Sequence, residues 1–187
     1  MAAKSKTTDD FNVFVIGQAG RLQYEALLFA ASVREFSPNF KGRLIVAEPQ
    51  PGPLWPRDPR MDDTLVLEAL NDLDVEIIPF ESKAFGNAYA YGNKIEGLVT
   101  LPDGPFMFFD TDTVITGELA DLDIDFARPS ASMKRENTWP TPDIYGPDYN
   151  EIWGALHARR GGRLEDTLDL SWPDDYWQRY LYFNAGW

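Results

Sequence analysis

The chain has 187 residues, no cysteine and a formal net charge of −13, with 44% hydrophobic and 14% aromatic residues. This length and apolar content suit one domain with its own core, and the lack of thiols excludes disulfides, thiolate catalysis and cysteine-based zinc sites. The negative charge argues against nucleic acid and anionic membranes as partners. We also expect no transmembrane segment, no signal peptide, a disordered leader over residues 1–10 and a cytoplasmic location.

The first half of the chain alternates strand and helix patterns. A β-branched apolar run at residues 11–17 predicts a strand, and apolar residues at helical spacing predict a helix from there to about Ser37. Further strands are predicted at residues 43–48 and 75–80, with a helical face between them. The proline-rich segment 49–59 is either a lid or a connection. This order predicts an α/β domain whose mostly parallel central sheet has helices on both faces.

A helix is also predicted between residues 88 and 99, from the spacing of Tyr91, Ile95, Leu98 and Val99. It contains Gly92 and Gly97, each of which costs about 1 kcal/mol relative to alanine in a helix interior. Two explanations are open. Either another backbone or a ligand approaches the glycines closely, or the helix is frayed and packs on the sheet.

The most informative stretch is 105–117, where the apolar run 106–109 leads directly into Asp110 and Asp112. Alternate residues of a strand point the same way, and ligands gather at the carboxyl ends of parallel strands. The two carboxylates are therefore expected to converge on one hard cation, Mn²⁺ or Mg²⁺, with a phosphate beside it. The alternative is a β-turn whose aspartates bond their own backbone.

The second half of the chain carries weaker patterns. Asp148 and Glu151 have the spacing of a capping box, which predicts a helix to Arg160. His157 on that helix has no neighbouring ligand residue, so we expect it to be structural or solvent-exposed rather than metal-bound. Three further short elements are predicted, namely strands at 127–134 and 180–187 and a helix opened by Asp174 and Asp175.

Three pieces of the sequence together resemble glycosyltransferases of the GT-A type, in particular those similar to glycogenin and bacterial lipopolysaccharide galactosyltransferases. They are the strand at 11–17 that opens into a helix, the strand with its Asp-x-Asp at 106–112, and the sequence Phe-Asn-Ala-Gly at 183–186. The resemblance implies one Rossmann-like nucleotide-sugar-binding domain over residues 11–187. It implies transfer of a hexose from a nucleotide-diphosphate sugar, with a UDP-sugar expected, to a saccharide, lipid-linked saccharide or protein.

The resemblance also implies roles for particular residues. Asp112 would bind the divalent cation, and Asp110 would bind the cation or the ribose of the donor. Asn184, beside the donor sugar, and Asp175 are the expected catalytic residues, and either Asp175 or Gln178 would line the acceptor side. The expected donor-binding residues are Gly17, Gln18, Lys94, Asp110, Thr111 and Asn184. The bland alternatives are an exposed lysine for Lys94, a turn for Gly17, a backbone bond for Asn184 and a helix cap for Asp175.

Two other functions stay open. The resembling enzymes usually continue past the Phe-Asn-Ala-Gly strand, so we expect this chain to lack an acceptor-binding part, and a non-catalytic nucleotide-sugar-binding domain is one alternative. The other is a phosphatase of the haloacid dehalogenase type, because a hydrophobic strand followed by Asp-x-Asp-Thr-Val also resembles that family's nucleophile motif. The position argues against it, since that motif normally comes first in its domain.

Overall fold

The computed structural model describes residues 11–128, 130, 145–173 and 176–180 of the chain. These residues form two compact units, which divide after residue 130. The predictions for residues 1–10, for Asp174, Asp175 and Asn184, and for most of the strands at 127–134 and 180–187 lie outside the described residues. Each unit is described by itself below.

The first unit is built on a four-stranded sheet. Its strands are β1 (Asn12–Ile16), β2 (Leu44–Pro49), β3 (Val75–Phe80) and β4 (Phe106–Phe108). The order across the sheet is β3-β2-β1-β4, and all three pairings are parallel. This confirms the α/β Rossmann-like fold. The chain moves outward from β1 to β3 on one side and returns to place β4 on the other, so the topological switch point lies between β1 and β4.

Three α-helices of this unit cover the two faces of the sheet. They are α1 (Arg21–Phe36), α2 (Thr64–Asp72) and α3 (Asn93–Gly97). Residues of α1 and α2 pack on one face against Val13, Val15 and Val46, whereas Phe14, Ile45 and Phe80 belong to a second apolar cluster. None of the helices in the described ranges has the length and hydropathy needed to span a bilayer.

The segment predicted as one helix at 88–99 is more broken than its spacing suggested. A 3₁₀ helix at Gly86–Gly92, interrupted at Tyr89, leads into α3, and a 3₁₀ turn at Leu98–Thr100 follows. The apolar residues that define the predicted face point to solvent, and Val99 is 82% exposed. Predicting the packing side from apolar spacing was therefore wrong here.

The packing side of this segment consists of its small residues instead. Gly92 and Gly97 are buried, and a Cβ on Gly97 would lie 3.1 Å from Cζ of Phe14. A Cβ on Gly92 would lie 2.2 Å from Cγ of Phe85. The glycines thus admit large aromatic side chains, and this close approach by side chains explains both positions.

The proline-rich loop after β2 is held at several points. The indole Nε1 of Trp55 donates to Oγ of Ser82 at 3.0 Å, and the amide of Asn87 donates to the carbonyl of Leu54 at 3.1 Å. The carbonyl of Pro59 accepts from the amide of Ala19 at 2.9 Å. These bonds favour an anchored connection over a lid.

The second unit contains helix α4 (Tyr149–Arg159). Its predicted capping box is confirmed, because Asp148 accepts from the amide of Glu151 at 2.8 Å while the Glu151 side chain accepts from the amide of Asp148 at 2.9 Å. Nδ1 of His157 lies 2.8 Å from the carbonyl of Trp153, which gives His157 a structural contact. Two 3₁₀ turns follow at Leu164–Thr167 and Trp177–Arg179, with an antiparallel bridge between Leu168 and Tyr180.

Candidate active site at the switch point

The segment that follows β4 is bonded along the end of β1. The amide of Phe109 donates to the carbonyl of Phe14 at 3.0 Å, and the hydroxyl of Thr111 donates to the carbonyl of Ile16 at 2.8 Å. Thr111 is only 6% exposed. Its observed contact is therefore an anchor between the tips of two neighbouring parallel strands, whereas contact with a donor stays a prediction.

A turn, rather than the strand itself, presents the two aspartates. Strand β4 ends at Phe108, and the amide of Thr113 donates to the carbonyl of Asp110 at 3.0 Å. The alternation of side chains along a strand is thus not what brings Asp110 and Asp112 together. Within the described residues the Asp110 carboxylate contacts Lys94, which differs from the backbone bond of the alternative. Both aspartates line one cavity.

This cavity has a volume of about 290 Å³ and opens at the carboxyl edge of the sheet. Three carboxylates (Glu25, Asp110 and Asp112) and two cationic side chains (Arg21 and Lys94) line it. Its remaining walls are Ile16, Leu22, Ala90, Tyr91, Phe108 and Thr111. Parallel α/β sheets bind ligands in such a crevice, beside the strand ends where the order of strands reverses.

Lys94 and Asp110 form an ion pair inside the cavity, between Nζ and Oδ1. Their side chains are 25% and 28% exposed, so the pair is partly shielded from water. Nζ also lies 5.4 Å from the centroid of the Phe108 ring, within the range of a cation–π interaction. Lys94 is therefore not the freely exposed lysine of the bland alternative, and its positive charge is fixed where the strand ends.

The sequence analysis missed the wall contributed by α1. Arg21 donates to Oε1 of Glu25 at 2.6 Å, four residues apart on the helix. Oε2 of Glu25 is buried and has no hydrogen-bond partner among the described residues. A signal for both residues existed, since the first turns of a helix that follows β1 must lie at the carboxyl edge of the sheet. Apolar spacing predicts the buried face of this helix and does not report the polar residues of its first turns.

Gly17 and Gln18 follow β1 directly. A Cβ on Gly17 would lie 2.3 Å from Cγ1 of Val46, and the Gly17 amide donates to the carbonyl of Ala47 at 3.0 Å. Close packing against β2 therefore accounts for this glycine without a ligand. Gln18 is partly exposed, and its Oε1 accepts from Nδ2 of Asn93 at 3.0 Å. Asn93 is a third residue that the sequence analysis did not single out.

The cavity offers oxygen ligands of the kind that Mn²⁺ and Mg²⁺ prefer. Asp112 is exposed, and Asp110 engages Lys94 through one carboxylate oxygen. Within the described residues, no three acidic or histidine side chains converge as a metal-binding group. Two carboxylates nevertheless fit a hard cation that takes most of its other ligands from phosphate and water. Asp175 and Asn184, the expected catalytic residues, lie outside the described ranges.

By its fold and this cavity, the chain belongs to the class of α/β domains that have a charged crevice at the switch point of a parallel sheet. A family model described as a Rhodobacterales glycosyltransferase domain matches residues 13–187 of the chain. The match covers nearly the whole chain, and the chain therefore belongs to this family of glycosyltransferases. No curated protein and no solved structure matches the sequence.

Proposed function

We propose that this glycosyltransferase domain transfers a hexose from a nucleotide-diphosphate sugar, with UDP as the nucleotide, and that a divalent cation at Asp110 and Asp112 assists the transfer. Membership of a glycosyltransferase family supports sugar transfer in general. The observation that supports the donor class is the charged cavity at the switch point, which holds both aspartates and Lys94. The finer likeness to GT-A enzymes is part of this proposal.

The charge of the cavity supports a role for a cation. Three carboxylates outnumber two cationic groups there, so a diphosphate would meet a repulsive field in the absence of a counter-ion. A bound Mn²⁺ or Mg²⁺ would supply stabilisation of the negative charge that develops on the leaving diphosphate. Asp112, which is exposed, and the oxygen of Asp110 that does not face Lys94 are the groups proposed to hold it.

The other residues have separate roles in this proposal. Lys94 adds a fixed positive charge beside the leaving group, and Thr111 keeps the aspartate turn against β1 through its bond to Ile16. Gly17 and Gln18 lie beside the base, and Asn184 contacts the donor sugar. Asp175 is proposed for the acceptor side, where a saccharide, a lipid-linked saccharide or a protein is accepted.

Calorimetry with UDP tests donor binding. We expect UDP to bind in the presence of Mn²⁺ and to bind at least tenfold more weakly in EDTA, which corresponds to about 1.4 kcal/mol. Asp112→Asn should remove most of the Mn²⁺ effect, whereas Asp123→Asn makes the same change at an exposed position outside the cavity and should leave it intact. Equal binding of UDP with and without cation would contradict the cation's role.

Turnover separates the enzyme from its alternatives. A panel of UDP-sugars with Mn²⁺ should show slow donor hydrolysis, and addition of acceptors should divert it to transfer. Donor binding without hydrolysis or transfer in any mixture would favour the non-catalytic binding domain. Mg²⁺-dependent hydrolysis of simple phosphate esters that is lost in Asp110→Asn would favour the phosphatase, for which family membership gives no support.

A further inference from the structure

A buried pair of side-chain amides lies at the end of β1. Asn93, the first residue of α3, is 1% exposed, and its Nδ2 donates to Oε1 of Gln18 at 3.0 Å. Oδ1 of Asn93 is buried and has no hydrogen-bond partner among the described residues. Among the described residues, the side chain of Asn93 is therefore bonded to Gln18 alone.

The position of Asn93 is fixed by the packing around it. Gly97, on the same short helix, lies against the rings and methyl groups of Phe14, Ile16 and Ala47, where a Cβ would find distances of 3.1–3.3 Å. The next residue, Lys94, is ion-paired with Asp110. Consecutive residues of α3 therefore contact the loop after β1 and the loop after β4, so the amide pair adjoins the carboxylate cavity.

The bond from Asn93 determines which way the Gln18 amide faces. A carboxamide carries an acceptor oxygen on one side and a donor NH₂ group on the other. Because Oε1 of Gln18 faces Asn93, its NH₂ group faces away from Asn93. Gln18 is partly exposed, and it follows β1 at the carboxyl edge of the sheet.

We propose that Asn93 is a positioning residue that holds Gln18 with its NH₂ group toward the nucleotide base, and that the base is selected for a carbonyl acceptor at this point. The inference rests on the proposed function, since it assumes a nucleotide whose diphosphate lies at Asp110 and Asp112. UDP and CDP form the matched probe pair, because uracil carries a carbonyl oxygen where cytosine carries an amino group. The NH₂ group of Gln18, held in place by Asn93, donates to the carbonyl oxygen of uracil but faces another donor in the amino group of cytosine.

The ratio of CDP to UDP dissociation constants, measured by calorimetry with Mn²⁺, tests whether Asn93 fixes the orientation of the Gln18 amide; this arrangement is called the clamp below. The wild-type protein should prefer UDP by about fivefold or more, the effect of roughly one neutral hydrogen bond. Asn93→Ala frees the Gln18 amide and should bring the ratio near one. Asn93→Asp offers only acceptors, so the Gln18 NH₂ group turns to it, Oε1 faces the base, and CDP should become the tighter ligand. Gln18→Glu should favour CDP for the same reason.

The control is Gln23→Ala, which removes another buried amide, 3% exposed, whose bonds go to Asp62 and Asp63. This variant should lose stability but keep the wild-type ratio. If Asn93→Asp fails to fold, Asn93→Ala and Gln18→Glu still report the ratio. A wild-type ratio near one, or an unchanged ratio in the folded variants, overturns the inference while donor binding stands. A wild-type protein that binds neither nucleotide refutes the proposed function and, with it, the clamp.

Discussion

Lys94 and Asp110 form a partly buried ion pair across the cavity at the switch point of the sheet, with Lys94 supplied by α3 and Asp110 by the turn after β4. The pair is compatible with a divalent cation only if the cation either replaces the ammonium group or uses the other carboxylate oxygen. If Asp110 holds the proposed cation, Lys94 and that cation therefore compete electrostatically for one carboxylate.

Substitution of Lys94 by methionine should therefore strengthen the binding of Mn²⁺ alone. Removal of the ammonium group leaves Asp110 without its cationic partner, and we expect the Mn²⁺ dissociation constant to fall severalfold in a titration followed by electron paramagnetic resonance. The same substitution should weaken UDP binding in the presence of Mn²⁺, because the diphosphate loses a fixed positive charge. Lys83→Met, outside the cavity, is the control. Weaker binding of Mn²⁺ alone by Lys94→Met would contradict the competition.

Gly97 should not accept a side chain as large as valine. A Cβ at this position would lie 3.1 Å from Phe14 and 3.3 Å from Ala47, both buried on the sheet face, so a valine must push α3 away from β1 and β2. We expect Gly97→Val to destabilise the domain by about 1–3 kcal/mol, the usual cost of overpacking. Urea unfolding measures it. Gly117→Val is the matched control, because a Cβ on Gly117 meets nothing within 4 Å, and equal losses in both variants would contradict this account.

Glu118 should make the stability of the first unit depend on acid pH. Its carboxylate accepts from the hydroxyl of Ser37 at 2.6 Å and from the backbone and side chain of Asn39 at 3.0 Å. The bond from Ser37, followed by those from Ala120 and Asn39, lowers the pKa of Glu118 below its ordinary value of 4.5. A lowered pKa means that the folded state favours the ionised form, so this contribution is complete above about pH 4.5 and is lost as the pH falls through the lowered pKa.

The measurement is the melting temperature between pH 3 and 7 for the wild type and Glu118→Gln. The difference between the two proteins should be largest near neutral pH and should shrink as the pH falls below 4.5, because protonation and the substitution remove the same charge. Glu68→Gln, at an exposed position on α2, serves as the comparison. A difference in melting temperature that stays constant down to pH 3 would show that the charge of Glu118 does not contribute to the stability of the first unit.

Much of the fold was predictable because each of its first three strands has a clear local sequence pattern. The runs that became β1, β2 and β3 are apolar and β-branched, and β3 has the predicted bounds, Val75–Phe80. Placing the two aspartates at the carboxyl edge also needed only the order of strands and their position after β4. Both aspartates do line the cavity there. The sequence predicted that the strand itself would present the aspartates, because the apolar run continues to Phe109. The strand ends at Phe108 instead, and a turn presents them.

The features that could not be predicted from the sequence are the packing face of α3 and the contact that Asn93 makes. Apolar periodicity assumes that the large side chains of a helix face the core, but here the large side chains belong to the sheet, and α3 contributes Asn93 and Gly97. Large residues such as Tyr91 and Val99 are consequently left in solvent. The bond between Asn93 and Gln18 joins residues 75 positions apart, which no local pattern reports.

The capping box of α4 gives a final prediction within the second unit. Asp148 accepts from the amide of Glu151 at 2.8 Å, and this bond satisfies one of the free amides at the start of the helix. We expect Asp148→Ala to weaken α4 by about 1 kcal/mol, whereas Asp148→Asn keeps an acceptor oxygen and should lose little. Hydrogen exchange at the α4 amides measures the difference. Equal acceleration in both variants would mean that the charge, rather than the acceptor, holds the first turn, because only the alanine variant lacks a side-chain oxygen.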